Sequence, residues 1–217
     1  MRNSLKINIK LFGAQIVITF VVYALPLFIP AGIKLWLAGW IFIVLWFGFW
    51  CFVLIWLSRH NLGLLQERMK VSSKDQKIWD RVLGLLLYSS IFVWLLFISF
   101  DVVRIHLSMV PFWLQIIGLI ILLGSFYLFF VTFRENSYLS PLVRIQEDRE
   151  QRVISTGPYH YVRHPMYSAT VVFIVGTPLL LGSLYGVPLG LIIILILAWR
   201  AVLEEWTLRK ELTGYED

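Results

Sequence analysis

Six long apolar segments dominate this sequence and limit what it can fold into. They cover approximately residues 11–29, 35–57, 82–100, 112–133, 166–183 and 187–203. At about 1.5 Å of rise per residue, each could form a helix that crosses most or all of a hydrocarbon layer about 30 Å thick. Backbone groups in lipid must be satisfied within the segment, and a β-barrel would need alternating segments of about ten residues. The sequence therefore predicts an all-α, polytopic integral membrane bundle with about five to six transmembrane helices, the last two forming a helical hairpin.

The composition supports this class. Hydrophobic residues make up 59% of the chain and charged residues 15%, whereas soluble domains carry about 25% charged residues. The basic N-terminus leads into an apolar run that is too long for a signal peptide, so we expect an uncleaved first span. We expect one domain over residues 1–217, with four spans in 1–133, and a polar loop, the hairpin and the end of the last helix in 134–217. The single cysteine, Cys51, lies in an apolar run, and we expect no metal site.

The distribution of lysine and arginine predicts the orientation. Lys34 and Arg104 fall on one side of the predicted membrane, and the other 17 of the 19 basic residues fall on the opposite side. By the positive-inside rule, both termini and both long loops are cytoplasmic, in the inner membrane if the protein is bacterial. This distribution also accounts for the net charge of +6, so we do not expect nucleic-acid binding.

Two polar segments interrupt the apolar second half. Residues 156–167 are rich in Tyr, His, Arg and Pro, and Glu204-Glu205 follows the last two apolar runs. Each run contributes about 18 residues, or about 27 Å of helix, so the hairpin should return the two glutamates to the depth of His164. Adjacent helix positions lie about 100° apart, so we expect one glutamate to face inward and the other to face water or headgroups.

Prolines make the first of these segments irregular. Gly157-Pro158 and His164-Pro165 should break the helix, because the residue before proline avoids the α region. Irregular backbone at this depth is tolerated only when it is buried in protein or lines a wet cavity, which predicts a pocket. The alternative is that each Arg, His or Tyr only extends toward the interface. The charged loop over 134–156 could be simply solvated, or could close over the pocket as a lid.

The pattern Gly157-Pro158-Tyr159-x-Tyr161-Val162-Arg163-His164-Pro165-x-Tyr167, followed by an apolar hairpin and Glu204-Glu205, resembles the isoprenylcysteine carboxyl methyltransferase family. Phospholipid N-methyltransferases share the broader pattern. An upstream run over 136–149 is similar to bacterial and archaeal members. The sequence departs from the pattern at Ala169, where glycine is usual. Members also usually continue into a basic tail with an arginine that bears on the substrate, so either this sequence is cut short at Asp217 or that role is absent.

The resemblance implies an enzyme that uses S-adenosylmethionine and no metal. It implies catalytic roles for Arg163, His164 and Glu204, and substrate-binding roles for Asn136 and Arg144. The implied cofactor-binding residues are Gly157, Pro158, Tyr159, Tyr161, Val162, His164, Pro165, Tyr167, Glu204 and Glu205. These residues offer what the cofactor needs: aromatic walls for the adenine and sulfonium, carboxylates for hydroxyl or ammonium groups, and a cation for its carboxylate.

The acceptor implied by the resemblance is a lipid-like or prenylated molecule, most simply a prenylcysteine-type carboxylate, with a phospholipid amine as the alternative. Two other classes remain open. Membrane sterol reductases carry a similar Arg-His-Pro-x-Tyr segment but use NADPH and usually have more spans. A transporter or scaffold is the non-enzymatic alternative, although the spans carry almost no ionisable residues near the midplane, where a transport path would need them.

Overall fold

The structure is a computed structural model that describes residues 9–32, 36–70, 76–212 and 215; these form helices joined by turns and loops, with no β-strand. This confirms the predicted all-α class. The α-helices are α1 (Ile9–Ala31), α2 (Leu37–His60), α3 (Leu62–Arg68), α4 (Ile78–Ser99), α5 (Phe112–Glu135), α6 (Pro165–Leu181) and α7 (Gly186–Glu211). A π-helical segment (Phe100–Ile105) continues α4, and 3-10 turns form at Glu147–Arg149 and Gly157–His160.

Within the described residues, four helical stretches are long and apolar enough to cross a membrane: Leu37–His60, Ile78–Ile105, Phe112–Glu135 and Gly186–Glu211. Two shorter apolar stretches, Val17–Ala31 and Pro165–Leu181, bring the set to the six predicted segments. These helices fit an integral membrane protein. The sixth predicted segment, 187–203, is shorter than the helix found there, because α7 continues to Glu211. Glu204 and Glu205 therefore lie within α7, on ordered helical backbone.

Glycines allow α5 and α6 to pack closely along their length. A Cβ atom at Gly118 would lie 2.3 Å from the backbone nitrogen of Leu180, and one at Gly176 would lie 2.7 Å from that of Leu122. Small residues at such positions let helix backbones approach in membranes. This contact holds the first half of the C-terminal hairpin against the helix that leads into the polar loop.

A buried polar cluster joins the hairpin turn to the end of α4. Asp101 is fully buried in the π-helical segment and accepts hydrogen bonds from the backbone nitrogen of Ser108 (2.9 Å), the Ser108 hydroxyl (2.6 Å) and the Ser183 hydroxyl. Ser183 follows Gly182, which ends α6 in the left-handed conformation with φ +94°. The turn between α6 and α7 is therefore anchored at the end of the bundle opposite Glu204.

Candidate active site

The polar segment enters the site through a turn that requires glycine. Gly157 has φ +57°, a region that favours glycine, and a Cβ atom there would lie 2.8 Å from the Glu135 carboxylate. The Thr156 hydroxyl donates a hydrogen bond to the same carboxylate. After the short 3-10 turn, α6 begins at Pro165, a first-turn position where the missing N–H has no consequence. The turn connects the end of α5 to the start of α6.

Glu205 joins the polar segment to α7. Its carboxylate forms an ion pair with Arg163 and lies 3.2 Å from Nε2 of His164. It also accepts hydrogen bonds from Arg209 at 3.1 Å and from the Tyr215 hydroxyl at 2.8 Å. Burial, together with the Glu205 charge, raises the pKa of Tyr215, so this phenol stays a neutral donor. The structure thus brings together the two polar segments that the hairpin length predicts to meet.

Glu204, which precedes Glu205 on α7, makes a different set of contacts. It accepts a hydrogen bond from the Tyr167 hydroxyl, which in turn accepts one from Nη1 of Arg200 at 3.1 Å. Glu204 lines a large cavity, whereas Glu205 forms part of the outer ion-pair cluster. The two glutamates therefore point in different directions, as their 100° separation on the helix predicts.

The cavity has a volume of about 1180 Å³ and runs from this polar end into the apolar interior. The upper range for small-molecule sites is about 1,000 Å³, so the cavity has room for more than one small ligand. Its polar wall includes Tyr159, Arg163, His164, Tyr167 and Glu204. Its apolar wall draws on several helices: Val22, Phe47, Leu54, Leu87, Phe129, Phe173 and Leu197.

The structure distributes the predicted cofactor residues unevenly around this cavity. Pro165 lines it together with the polar residues just named, whereas Gly157, Pro158 and Val162 are not part of its wall. Tyr161 is 84% exposed, and its ring lies edge-on to His160. Tyr159 and Tyr167 therefore line the cavity, whereas Tyr161 lies at the surface.

Asn136, a predicted substrate-binding residue, supports Tyr159. Its side-chain nitrogen donates to the Tyr159 hydroxyl at 2.8 Å, and its oxygen accepts from the backbone nitrogen of Tyr138 at 2.8 Å. Burial, with a smaller contribution from the Glu204 charge, raises the pKa of Tyr159 to about 12 despite the hydrogen bond from Asn136. Tyr159 is therefore a neutral phenol in the cavity wall at neutral pH.

Arg144, the second predicted substrate-binding residue, lines the cavity but is held by carboxylates. Its Nε and Nη2 atoms each donate to Glu67 at 2.9 Å, and its Nη1 donates to Asp148 at 3.1 Å. Burial alone would raise the pKa of Glu67, but hydrogen bonds from Arg144 and Lys70 outweigh burial and lower it to about 2. The ion pair attaches the loop after α5 to α3.

The loop over 134–156 forms one wall of the cavity. Gln146 is 1% exposed and donates to the backbone oxygen of Tyr138 at 2.6 Å. The outer part of the loop turns at Glu150, a non-glycine residue with φ 48°. Residues 151–155 also line the cavity. Residues on both sides of the turn at Glu150 therefore contribute to the cavity wall.

Sequence reasoning missed Asp80 and Arg200 as parts of the site. Arg200 lies one helical turn before Glu204, and its Nε donates to Asp80 at 2.9 Å. Asp80, which is 2% exposed, also accepts from the backbone nitrogen of Val143 at 3.0 Å. An arginine inside an apolar helix was a signal that could have found this pair, because ionisable residues in spans have specific partners.

Arg68 is another residue of the cavity wall that sequence reasoning missed. Its guanidinium carbon lies 4.6 Å from the ring centroid of Phe133, and burial lowers its pKa to about 10.

Among the described residues, no three His, Cys, Asp or Glu side chains are placed to hold a metal ion.

Fold and site together define a helical membrane protein with a large cavity that has a polar wall at one end of the bundle and an apolar wall inside it. Residues 113–213 match a family model described as phospholipid methyltransferase. The matched part runs from α5 through α7 and contains the polar segment and both glutamates. This similarity supports a membrane methyltransferase. Searches of curated proteins and of solved structures found no match.

Proposed function

We propose that this protein is an S-adenosylmethionine-dependent methyltransferase that acts on a lipophilic acceptor at the membrane. The observation that carries the proposal is the meeting of the 156–167 segment with Glu204 in the cavity wall and with Glu205 beside it, within the residues that match the family model. When bound, the cofactor supplies a methyl group on a positively charged sulfur.

The residues present fit this cofactor chemically. The Glu204 carboxylate faces the cavity and can accept hydrogen bonds from an ammonium or ribose hydroxyl groups. Tyr159 and Tyr167 offer aromatic surface for the adenine or the sulfonium charge. Arg163 adds positive charge for a carboxylate, and His164 adds a ring nitrogen that can form a hydrogen bond. Methyl transfer between aligned groups needs orientation and exclusion of water, which a loop-covered cavity provides.

The apolar part of the cavity supports a lipid-like acceptor. It extends past Phe173 and Leu197 into the bundle, so a hydrocarbon chain could lie there while its polar head reaches Glu204. The family model favours a phospholipid amine as the acceptor. The motif around Arg163-His164-Pro165 favours a second candidate, O-methylation of a prenylcysteine-type carboxylate.

We also propose that this end of the bundle is cytoplasmic. The support is the positive-inside rule, because the loops at this end carry most of the lysine and arginine. A reporter fused to the C-terminus, active only in the cytoplasm, should give a signal. A signal from a reporter active only outside the cytoplasm would contradict this orientation.

Calorimetry with purified protein in detergent tests the cofactor. The unmodified protein should bind S-adenosylmethionine saturably, and Glu204→Gln should weaken binding by about tenfold or more, as expected for a lost bond to a charged group. The matched control is Glu211→Gln on the same helix, since Glu211 pairs with Lys77 and does not line the cavity. Absence of binding by the unmodified protein, or thermal stabilisation by NADPH instead, would refute the proposal.

A further inference from the structure

A continuous line of polar contacts links three helices to the cavity-facing Glu204. It begins at Asp80 near the start of α4, continues through Arg200 on α7 and Tyr167 on α6, and ends at the Glu204 carboxylate. The side chains of Asp80 and Arg200 are 1% and 14% exposed. Such buried charges need specific partners, so their arrangement is defined by the fold.

Arg200 is held from two sides before it reaches Tyr167. Its Nε lies 2.9 Å from Oδ1 of Asp80, and its Nη2 donates to the backbone oxygen of Pro141 at 2.9 Å. The remaining terminal nitrogen, Nη1, donates to the Tyr167 hydroxyl. Because a guanidinium is planar, fixing two of its nitrogens also fixes the direction of the third.

The hydrogen bond from Arg200 determines the direction in which the Tyr167 hydroxyl donates its own proton. A phenol hydroxyl that accepts a hydrogen bond from Arg200 keeps its own proton for another acceptor, and in this structure that acceptor is Glu204. The contact orients the Glu204 carboxylate, whose placement in the cavity wall is what the proposed cofactor site requires.

We infer that Arg200, held by Asp80, is a positioning residue that sets the orientation of Glu204 through the hydroxyl of Tyr167. This inference rests on the proposed function, because its readout is cofactor binding. It extends the site to α4, which lies outside the residues that match the family model.

Asp80 gives the same line of contacts a second connection. Its Oδ2 accepts from the backbone nitrogen of Val143 at 3.0 Å, so one carboxylate contacts both Arg200 and the loop that covers the cavity. A change at Asp80 should therefore disturb the loop and the orientation of Glu204 together.

A double-mutant cycle on the affinity for S-adenosylmethionine tests the inference. Arg200→Lys keeps the charge but removes the planar fork, and Tyr167→Phe removes the hydroxyl while keeping the ring. Each single change should weaken binding about tenfold, the effect of one hydrogen bond to a charged group. If Arg200 acts through Tyr167, the double variant should also be about tenfold weaker, not about a hundredfold.

A merely structural role for Arg200 predicts a different result. The effect of Arg200→Lys would then persist undiminished in the Tyr167→Phe background, which would overturn the inference. Equal affinity of the unmodified protein and Arg200→Lys would overturn it as well. Asp80→Asn provides a second variant, and its effect on affinity should likewise shrink when Tyr167 is Phe.

The measurement separates the two proposals. If the unmodified protein does not bind S-adenosylmethionine at all, the proposed function fails and this inference fails with it. If the unmodified protein binds and the cycle is additive, only the inference fails. Thermal unfolding of each variant without ligand shows whether every protein in the cycle is folded.

Discussion

The ion pair between Glu67 and Arg144 allows a quantitative prediction about stability. The Glu67 side chain is 1% exposed, and its pKa falls from the ordinary value of 4.5 to about 2. At about 1.4 kcal/mol per pKa unit, this difference corresponds to about 3 kcal/mol of folding free energy. Glu67→Gln should therefore lower the free energy of unfolding by about 3 kcal/mol at pH 7.

The pH dependence has a definite sign. A carboxyl group with a lowered pKa in the folded state contributes its full stability above its unfolded pKa, here about 4.5, and loses it as the pH falls toward 2. The difference in stability between the unmodified protein and Glu67→Gln should therefore be constant from pH 7 to about pH 5. It should shrink steadily between about pH 4.5 and pH 2.

The assay is reversible unfolding in detergent micelles at a series of pH values. Asp148→Asn is the matched control, because Asp148 contacts the same arginine but its side chain is 57% exposed. An exposed pair contributes about 1 kcal/mol at most, so this control should change little. If Glu67→Gln were as stable as the unmodified protein at pH 7, the account of Arg144 as a structural anchor would be refuted.

Two further substitutions, one beside the site and one at the opposite end of the bundle, test which contacts support cofactor binding. Gly157→Ala should destabilise by about 1–2 kcal/mol and weaken cofactor binding, because φ is +57° and the new methyl group would meet the Glu135 carboxylate. Gly48→Ala, where a Cβ atom meets nothing within 4 Å, should be neutral or stabilising; equal effects of the two substitutions in thermal unfolding would argue against a requirement for glycine at position 157. Asp101→Asn should cost about 2–3 kcal/mol by leaving a buried donor unsatisfied, yet cofactor affinity of the folded protein should not change. A large loss of cofactor affinity in calorimetry would contradict the conclusion that the Asp101 cluster stabilises the fold without affecting the cavity at the Glu204 end of the bundle.

Much of the architecture could be predicted because membrane-spanning helices are recognisable in a sequence by their length and apolarity. The hairpin length also predicted that Glu204 and Glu205 return to the depth of His164, since rise per residue converts sequence separation into depth, and Glu205 does contact His164. Both predictions use only local properties of the chain, namely apolarity, segment length and rise per residue. The predicted end of the last helix was less accurate, because α7 continues through charged residues to Glu211.

The arrangement of the site could not be predicted from distance along the chain. Arg144 meets Glu67 across 77 positions, and Arg200 meets Asp80 across 120. Such pairings depend on which faces of neighbouring helices meet, and local patterns carry no such information. The same reason explains why Tyr161, adjacent in the motif to inward-facing residues, lies at the surface.

The proposed methyltransferase activity can be tested by following a labelled methyl group. Purified protein in vesicles that contain aminophospholipids would be incubated with S-adenosylmethionine labelled in the methyl group, and the lipid extract analysed by mass spectrometry. We expect a labelled lipid product with the unmodified protein, little with Glu204→Gln, and undiminished product with Glu211→Gln. Label in a prenylcysteine substrate and not in phospholipid would assign the second candidate acceptor. Absence of labelled product with either acceptor, or equal product from Glu204→Gln, would contradict the account.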